Sequence, residues 1–166
     1  MLKNPINKGF TLLEILIVIV ITGITLTFAV LAFGDFGQSK KIKFSAEQFV
    51  NLLGLASQQA ILEPAVFGIK INNKGYVFYR LNFEKKLSWQ KITRHKVFYP
   101  HQFPKLTQIA FKTKFRNNSS EPQIIINSTG NMTPFNLEFS QQSGGKIIQI
   151  QANANGTIKT NDFTSK

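Results

Sequence analysis

Cysteine is absent from the 166 residues, which excludes disulfides and thiolate metal sites. The absence does not choose a compartment, because many exported bacterial proteins also lack cysteine. Histidine is nearly as scarce. His95 and His101 are the only two, and their spacing is not the i, i+4 helical pair of a zinc protease. Acidic residues number 8 against 20 lysines and arginines; they are dispersed and form no Asp-x-Asp calcium loop. No Gly-x-Ser-x-Gly elbow occurs, so nucleophilic serine chemistry has no motif to stand on. The reading is therefore no catalytic residues, no metal and no cofactor. The Asn-x-Ser/Thr matches at Asn118 and Asn127 are expected by chance in Asn-rich loops. The formal net charge of +12 favours acidic partners: anionic lipid head groups, nucleic acid or an acidic protein face. It equally serves plain solubility.

What the chain does have is a long apolar run near its start. Residues 1–9, MLKNPINKG, carry Lys3 and Lys8 and no acid. Residues 15–33 contain no charge at all and are dominated by Ile, Val and Leu. As a helix this run covers roughly 28 Å, close to the ~30 Å hydrocarbon core of a bilayer. A cleaved secretory signal has a shorter apolar core and a small-residue cleavage site, and FAVLAFGDF offers no such site. A signal anchor of another type is the alternative. Lysines flank both sides, Lys3 and Lys8 before, Lys40, Lys41 and Lys43 after, so charge alone leaves orientation open.

Between the basic leader and the apolar run stands Gly9-Phe10-Thr11-Leu12-Leu13-Glu14, followed by ILIVIVITGI. This resembles the processing site of type IV pilins and type II secretion pseudopilins. The resemblance implies that a prepilin peptidase cuts after Gly9 on the cytoplasmic side and methylates the new N-terminal Phe10. Glu14 then becomes the fifth mature residue. Physical chemistry supports these positions. Gly9 has no side chain to obstruct a peptidase and breaks the helix ahead of Phe10. A carboxylate in the bilayer costs about 2.5–3.5 kcal/mol at mid-depth, so such residues are usually paired and functional. The helix macrodipole offsets part of that cost. Cleavage would create an α-amino cation at Phe10. Glu14 could meet its own chain's amine or the head-group layer; the family implies the amine of a neighbouring subunit, setting axial register during assembly.

After Gly34 and Gly37, a soft point, helical spacing resumes through Phe44, Phe49, Leu52, Leu53, Ala56 and Ala60 until Pro64. One helix over residues 10–62 would be about 80 Å long; two helices hinged at the glycines fit as well. Beyond Pro64 the pattern is β, with strands expected at 66–71, 76–81, 89–92, 106–111, 123–126, 135–139, 146–151 and 157–160. Asn72-Asn73-Lys74-Gly75 reads as a hairpin turn. The expected fold class is α+β, type IV pilin-like, a long N-terminal helix packed on small antiparallel sheets. The expected domains are leader 1–9, transmembrane helix 10–34, amphipathic helix 35–63 and a β-rich periplasmic head 64–166. The 16 phenylalanines read mainly as core. Phe78, Tyr79 and Arg80, or Phe111, Lys112, Phe115 and Arg116, could instead form a base-stacking platform.

Gly130-Asn131-Met132-Thr133-Pro134-Phe135-Asn136-Leu137 resembles the Gly-x-x-Thr-Pro-Phe-x-Leu pattern of H-type minor pseudopilins, the GspH family of type II secretion systems. Gly130, Thr133, Pro134, Phe135 and Leu137 are its structural residues; it marks no active site. The resemblance implies a subunit anchored once in the bacterial inner membrane, its N-terminus cytoplasmic before processing. It would join a periplasmic pseudopilus that drives folded proteins across the outer membrane. Its partners would be the major and other minor pseudopilins, with secreted exoproteins beyond them. The alternative is a minor type IV pilin that binds DNA in natural transformation, favoured by charge. Against it, no arginine follows Arg116.

Overall fold

A computed structural model describes residues 10–83, 87–93, 96–114, 121–142 and 144–163, with only the backbone for 31–36. The chain divides into two compact units, Met1–Gly37 and Gln38–Lys166. A single helix α1, Leu12–Leu62, supplies residues to both and is helical through Gly34 and Gly37. The glycines therefore mark a boundary between units without ending the helix.

In the first unit, Leu12–Val30 is a 19-residue stretch with the composition of a membrane span, and none of it is buried within the protein. Its hydroxyls are satisfied inside the helix. Thr22 Oγ1 donates to the Val18 carbonyl at 2.6 Å, and Thr27 Oγ1 to that of Gly23 at 2.8 Å. Thr25 Oγ1 lies 3.0 Å from the Ile21 carbonyl and 2.9 Å from that of Thr22. Such back-bonding lets threonine enter an apolar solvent without leaving a donor unpaired.

The second unit is built around the last half of α1. Ile42, Ala46, Phe49, Leu53, Ala56 and Ala60 are all fully buried, at alternating four- and three-residue spacing. Phe44, expected in this stripe, is instead 67% exposed. It lies about 200° around the helix from Ile42, which turns it away from the buried stripe. Alanines at three buried positions keep the wall thin.

Among the described residues nine strands fold against this wall: β1 (Phe67–Asn72), β2 (Gly75–Asn82), β3 (Ser88–Lys91), β4 (His101–Gln102), β5 (Thr107–Thr113), β6 (Ile124–Ile126), β7 (Phe135–Gln141), β8 (Lys146–Ala152) and β9 (Ile158–Asp162). They form two antiparallel sheets, β3-β2-β1-β6 with β4 added to β2, and β5-β7-β8-β9. The expected α+β class and all eight expected strands are present, shifted by one or two residues at their ends. Two short elements escaped the sequence reading: β4 and a 3-10 turn at Lys96–Phe98. Register follows alternation. Ile69 faces Phe78 across β1 and β2, while Leu137 faces Ile150 and Phe111 across the second sheet. The expected hairpin turn is closed by Asn72, whose Oδ1 accepts the amides of Lys74 at 2.8 Å and Gly75 at 3.0 Å.

Aromatic rings join the two sheets through the core. Phe49 of α1 sits 4.7 Å from Tyr76 in one sheet and 6.5 Å from Phe135 in the other, centroid to centroid. Phe103 likewise touches Tyr76 at 5.5 Å and Phe139 at 5.2 Å. Phe78 is fully buried and packs at a tilt against Phe98, and Arg80 pairs with Glu63 at 3.3 Å. The first candidate base platform is thus core and salt bridge. In the second, Phe111 stacks on Phe135 at 5.8 Å, while Phe115 and Arg116 lie outside the described residues. Lys43 of α1 pairs with Asp162 of β9; the hydrogen bond, then the opposite charge, raises the lysine pKa above its ordinary value.

Tyr76 stands out within this core. It is 1% exposed, and among the described residues its hydroxyl has no hydrogen-bond partner. Burial pushes its phenol well above the ordinary tyrosine pKa. An unpaired buried hydroxyl costs about 1–3 kcal/mol. Tyr76→Phe should therefore stabilise the protein, raising the thermal midpoint in a calorimetric scan; a lowered midpoint would show that the hydroxyl is satisfied.

Candidate functional site

Two sets of residues carry functional expectations, one in each unit. The first is the start of α1. Thr11 precedes the helix and caps it: its Oγ1 accepts the Glu14 amide at 3.2 Å. Its carbonyl accepts the amides of Glu14 at 3.1 Å and Ile15 at 3.3 Å. Thr11-Leu12-Leu13-Glu14 has the Thr-x-x-Glu spacing of a capping box, a signal the sequence reading overlooked because it weighed Glu14 as a buried charge and an assembly contact. The cap fixes where the helix begins and so places Glu14 in the first turn, where the helix dipole favours an anion. Phe10 stands just outside, 79% exposed. Gly9 lies outside the described residues.

Between Leu12 and Val30 the polar side chains are Glu14 and three threonines. The threonines bond to their own helix, as described above. Among the described residues nothing pairs with the Glu14 carboxylate. The backbone around Glu14 is therefore held in place by Thr11, and its carboxylate is without a partner among the described residues.

The second set is the Gly-x-x-Thr-Pro-Phe-x-Leu segment, which the fold gathers at one end of the head. Gly130 has φ 80°, and a Cβ there would meet Ile61 Cδ1 at 3.0 Å and Ser57 Oγ at 3.3 Å. Gly156, φ 82°, lies so near that its Cβ would come within 2.6 Å of the Gly130 carbonyl. Both glycines are thus required by backbone conformation and by close approach. Asn127 organises the turn, its Oδ1 accepting the amides of Thr129 and Asn131, each at 3.1 Å. Thr133 then completes the edge of β6. Its amide donates to the Ile125 carbonyl at 2.9 Å, and its Oγ1 accepts the Ile125 amide at 3.0 Å. The Pro134 carbonyl accepts Thr113 Oγ1 at 3.0 Å, and Phe135 and Leu137 turn into the core. The segment leads from one sheet to the other. Its work is structural.

His101 Nε2 lies 3.1 Å from the Val97 carbonyl, and its ring stacks on Tyr76 at 5.1 Å. His95 lies outside the described residues, among which no group of three His, Asp or Glu could hold a metal. Thr133→Val should remove one acceptor from the β6 edge at a cost of about 0.5–1.5 kcal/mol. Hydrogen exchange at the Ile125 amide should accelerate; unchanged protection would contradict this edge-sealing role.

One family match falls in each unit. Residues 5–30 match the family described as a prokaryotic N-terminal methylation motif, and residues 45–156 match Type II transport protein GspH. The type II secretion system protein H of Pseudomonas aeruginosa is 25% identical, over 88% of this chain and 91% of its own length. That of Vibrio cholerae is 27% identical, over 92% and 93%. A crystal structure of the Vibrio cholerae minor pseudopilin EpsH superposes with a TM-score of 0.64 at 25% identity, covering 77% of this chain and 99% of that one. The solution structure of Escherichia coli GspH shares the fold, with a TM-score of 0.63 at 16% identity over 75% and 89%. These relatives give the DNA-binding alternative no support. The chain belongs to the GspH family of type II transport proteins, the H-type minor pseudopilins.

Proposed function

We propose that this minor pseudopilin is made as a precursor whose leader, residues 1–9, is cut after Gly9 by a prepilin peptidase, leaving an N-methylated Phe10. The mature chain crosses the inner membrane once through residues 10–34. Residues 35–63 continue as the amphipathic helix, and residues 64–166 form the periplasmic head. It joins the pseudopilus through its helix, beside the major and other minor pseudopilins, and the growing filament moves folded proteins across the outer membrane.

The observation that carries this reading is the isolated Glu14 carboxylate. Its amide is tied to Thr11, the neighbouring hydroxyls are satisfied, and its charge has no partner among the described residues. A positive group delivered by another subunit answers that need. Proteolysis supplies such a group at each Phe10, and helix packing brings neighbours close enough to use it. Because the amine forms only on cleavage, an uncut subunit cannot make the contact. Processing thus becomes a condition for assembly.

The test separates cleavage from incorporation. Glu14→Ala and Glu14→Gln should both yield a mature protein starting at methylated Phe10 by N-terminal mass spectrometry. Each should co-purify with filament partners at least about tenfold less, the equivalent of ~1.4 kcal/mol. Undiminished incorporation would sink the register role, and an intact Met1 in the wild-type protein would sink the processing scheme.

A further inference from the structure

β5 is an open edge of the second sheet, whose order is β5-β7-β8-β9. The Leu106 carbonyl accepts the Gln142 amide at 3.0 Å, and from Thr107 opposite Gln141 to Thr113 opposite Phe135 the register runs without a bulge. In an antiparallel ladder that phase turns the amides and carbonyls of the even-numbered β5 residues toward β7. Those of Ile109 and Phe111 therefore point away from the sheet, and among the described residues no backbone group meets them. The outward amide before them, that of Thr107, is taken by the Pro104 carbonyl at 3.3 Å. Inside that turn Leu106 has φ 65°, a strained conformation for leucine, and is 53% exposed.

The other edges are guarded. β6 has three residues and is sealed by Thr133, and β3 and β4 have only four and two. β9 has five, and its Asp162 is tied to Lys43. Short edge strands, prolines, bulges and inward charges are the usual defences against stray pairing. With seven residues, none of them proline, and Thr, Ile, Phe and Thr on its inner face, β5 has none of these. Ile109 and Phe111 are only half-buried, so the apolar side of the sheet is incompletely covered here. One added strand would supply the hydrogen bonds and, from every second side chain, the cover.

Charge selects the occupant. Residues 96–114 contain Lys96, Lys105, Lys112 and Lys114 and no acid. Lys105, Lys112 and Lys114 are exposed. Glu138 of β7 stands opposite Ala110, but Lys146 holds it at 2.9 Å. We propose that β5 is a docking edge for an extended acidic segment of another protein, which adds to the second sheet as a fifth strand. Its backbone bonds Ile109 and Phe111, its apolar side chains cover those two residues, and its carboxylates meet Lys112 and Lys114. A second copy of this chain offers an equivalent edge but sets lysines against lysines. The docking edge is separate from filament entry through the helix and does not depend on cleavage at Gly9.

The test uses the full chain in uncharged detergent micelles and reads amide hydrogen exchange at Ile109 and Phe111 by magnetic resonance. The probe is a capped peptide of about seven residues, long enough to run the length of β5, in which valine and glutamate alternate. It should slow exchange at both amides at least about tenfold. A valine–lysine peptide should not, and neither should the glutamate peptide with its edge-facing amides N-methylated. Reversing charge with Lys112→Glu and Lys114→Glu should transfer the protection to the lysine peptide, an exchange of preference that lost folding could not produce. Equal protection by both charged peptides, or by neither, would overturn the proposal. So would amides already slow without peptide at every protein concentration, which would show that the chain covers its own edge. Slowing that rises with protein concentration alone would replace the acidic partner with a second copy.

Discussion

A carboxylate at the head of an apolar helix constrains everything that follows it in this chain. Inside a bilayer, polar groups must find their partners within the protein. The helix satisfies its own amides and carbonyls, and Thr22, Thr25 and Thr27 bond back to carbonyls one turn earlier. Among the described residues Glu14 has no equivalent solution, because an ionised carboxylate accepts hydrogen bonds and needs positive charge nearby. Thr11 fixes the backbone of Glu14 without neutralising it. What results is a segment with the composition of a membrane span whose carboxylate has no partner among the described residues, and the proposed removal of the leader would generate a cation able to meet it. On that proposal, anchoring, processing and assembly are linked through a single group.

The head answers a different constraint: two small sheets must share one core with one helix. Neither sheet is wide enough to bury its own inner face. Phe49 meets the problem from the helix by touching Tyr76 in one sheet and Phe135 in the other, and Phe103 repeats the contact from a loop. The buried alanines at positions 46, 56 and 60 allow the sheets to approach the helix closely. The segment from Gly130 to Leu137 carries the chain from one sheet to the other, and its glycine, threonine and proline are explained by that path. Large aromatic residues are numerous because three layers meet here, and most of them are accounted for by packing.

Much of this was legible in the sequence. Alternation located every strand of ordinary length, since an inward residue at every second position is forced wherever one sheet face is buried. The apolar run and the Gly-Phe-Thr-Leu-Leu-Glu segment located the span and its odd charge. The failures are equally physical. Helical spacing put Phe44 in the buried stripe, but it stands five residues before Phe49, a separation that turns it to another face of the helix. β4 has two residues and therefore no period to detect. The left-handed backbone of Leu106, φ 65°, is not legible in the sequence, because leucine gives no hint of it. Continuity of α1 through Gly34 and Gly37 depends on whether helical propensity outweighs glycine flexibility, a balance of about 1 kcal/mol per residue that sequence alone does not decide.

The most direct test is a distance measured between two different polypeptides in an assembled filament. The Glu14 side-chain carboxyl of this subunit is labelled with carbon-13, the N-terminal amines of the remaining pseudopilins with nitrogen-15, and the dipolar coupling between them is read by solid-state magnetic resonance. Pairing across subunits predicts a separation within about 4 Å, seen only after the leader has been removed. Coupling confined to a single doubly labelled chain, with none between chains, would contradict it.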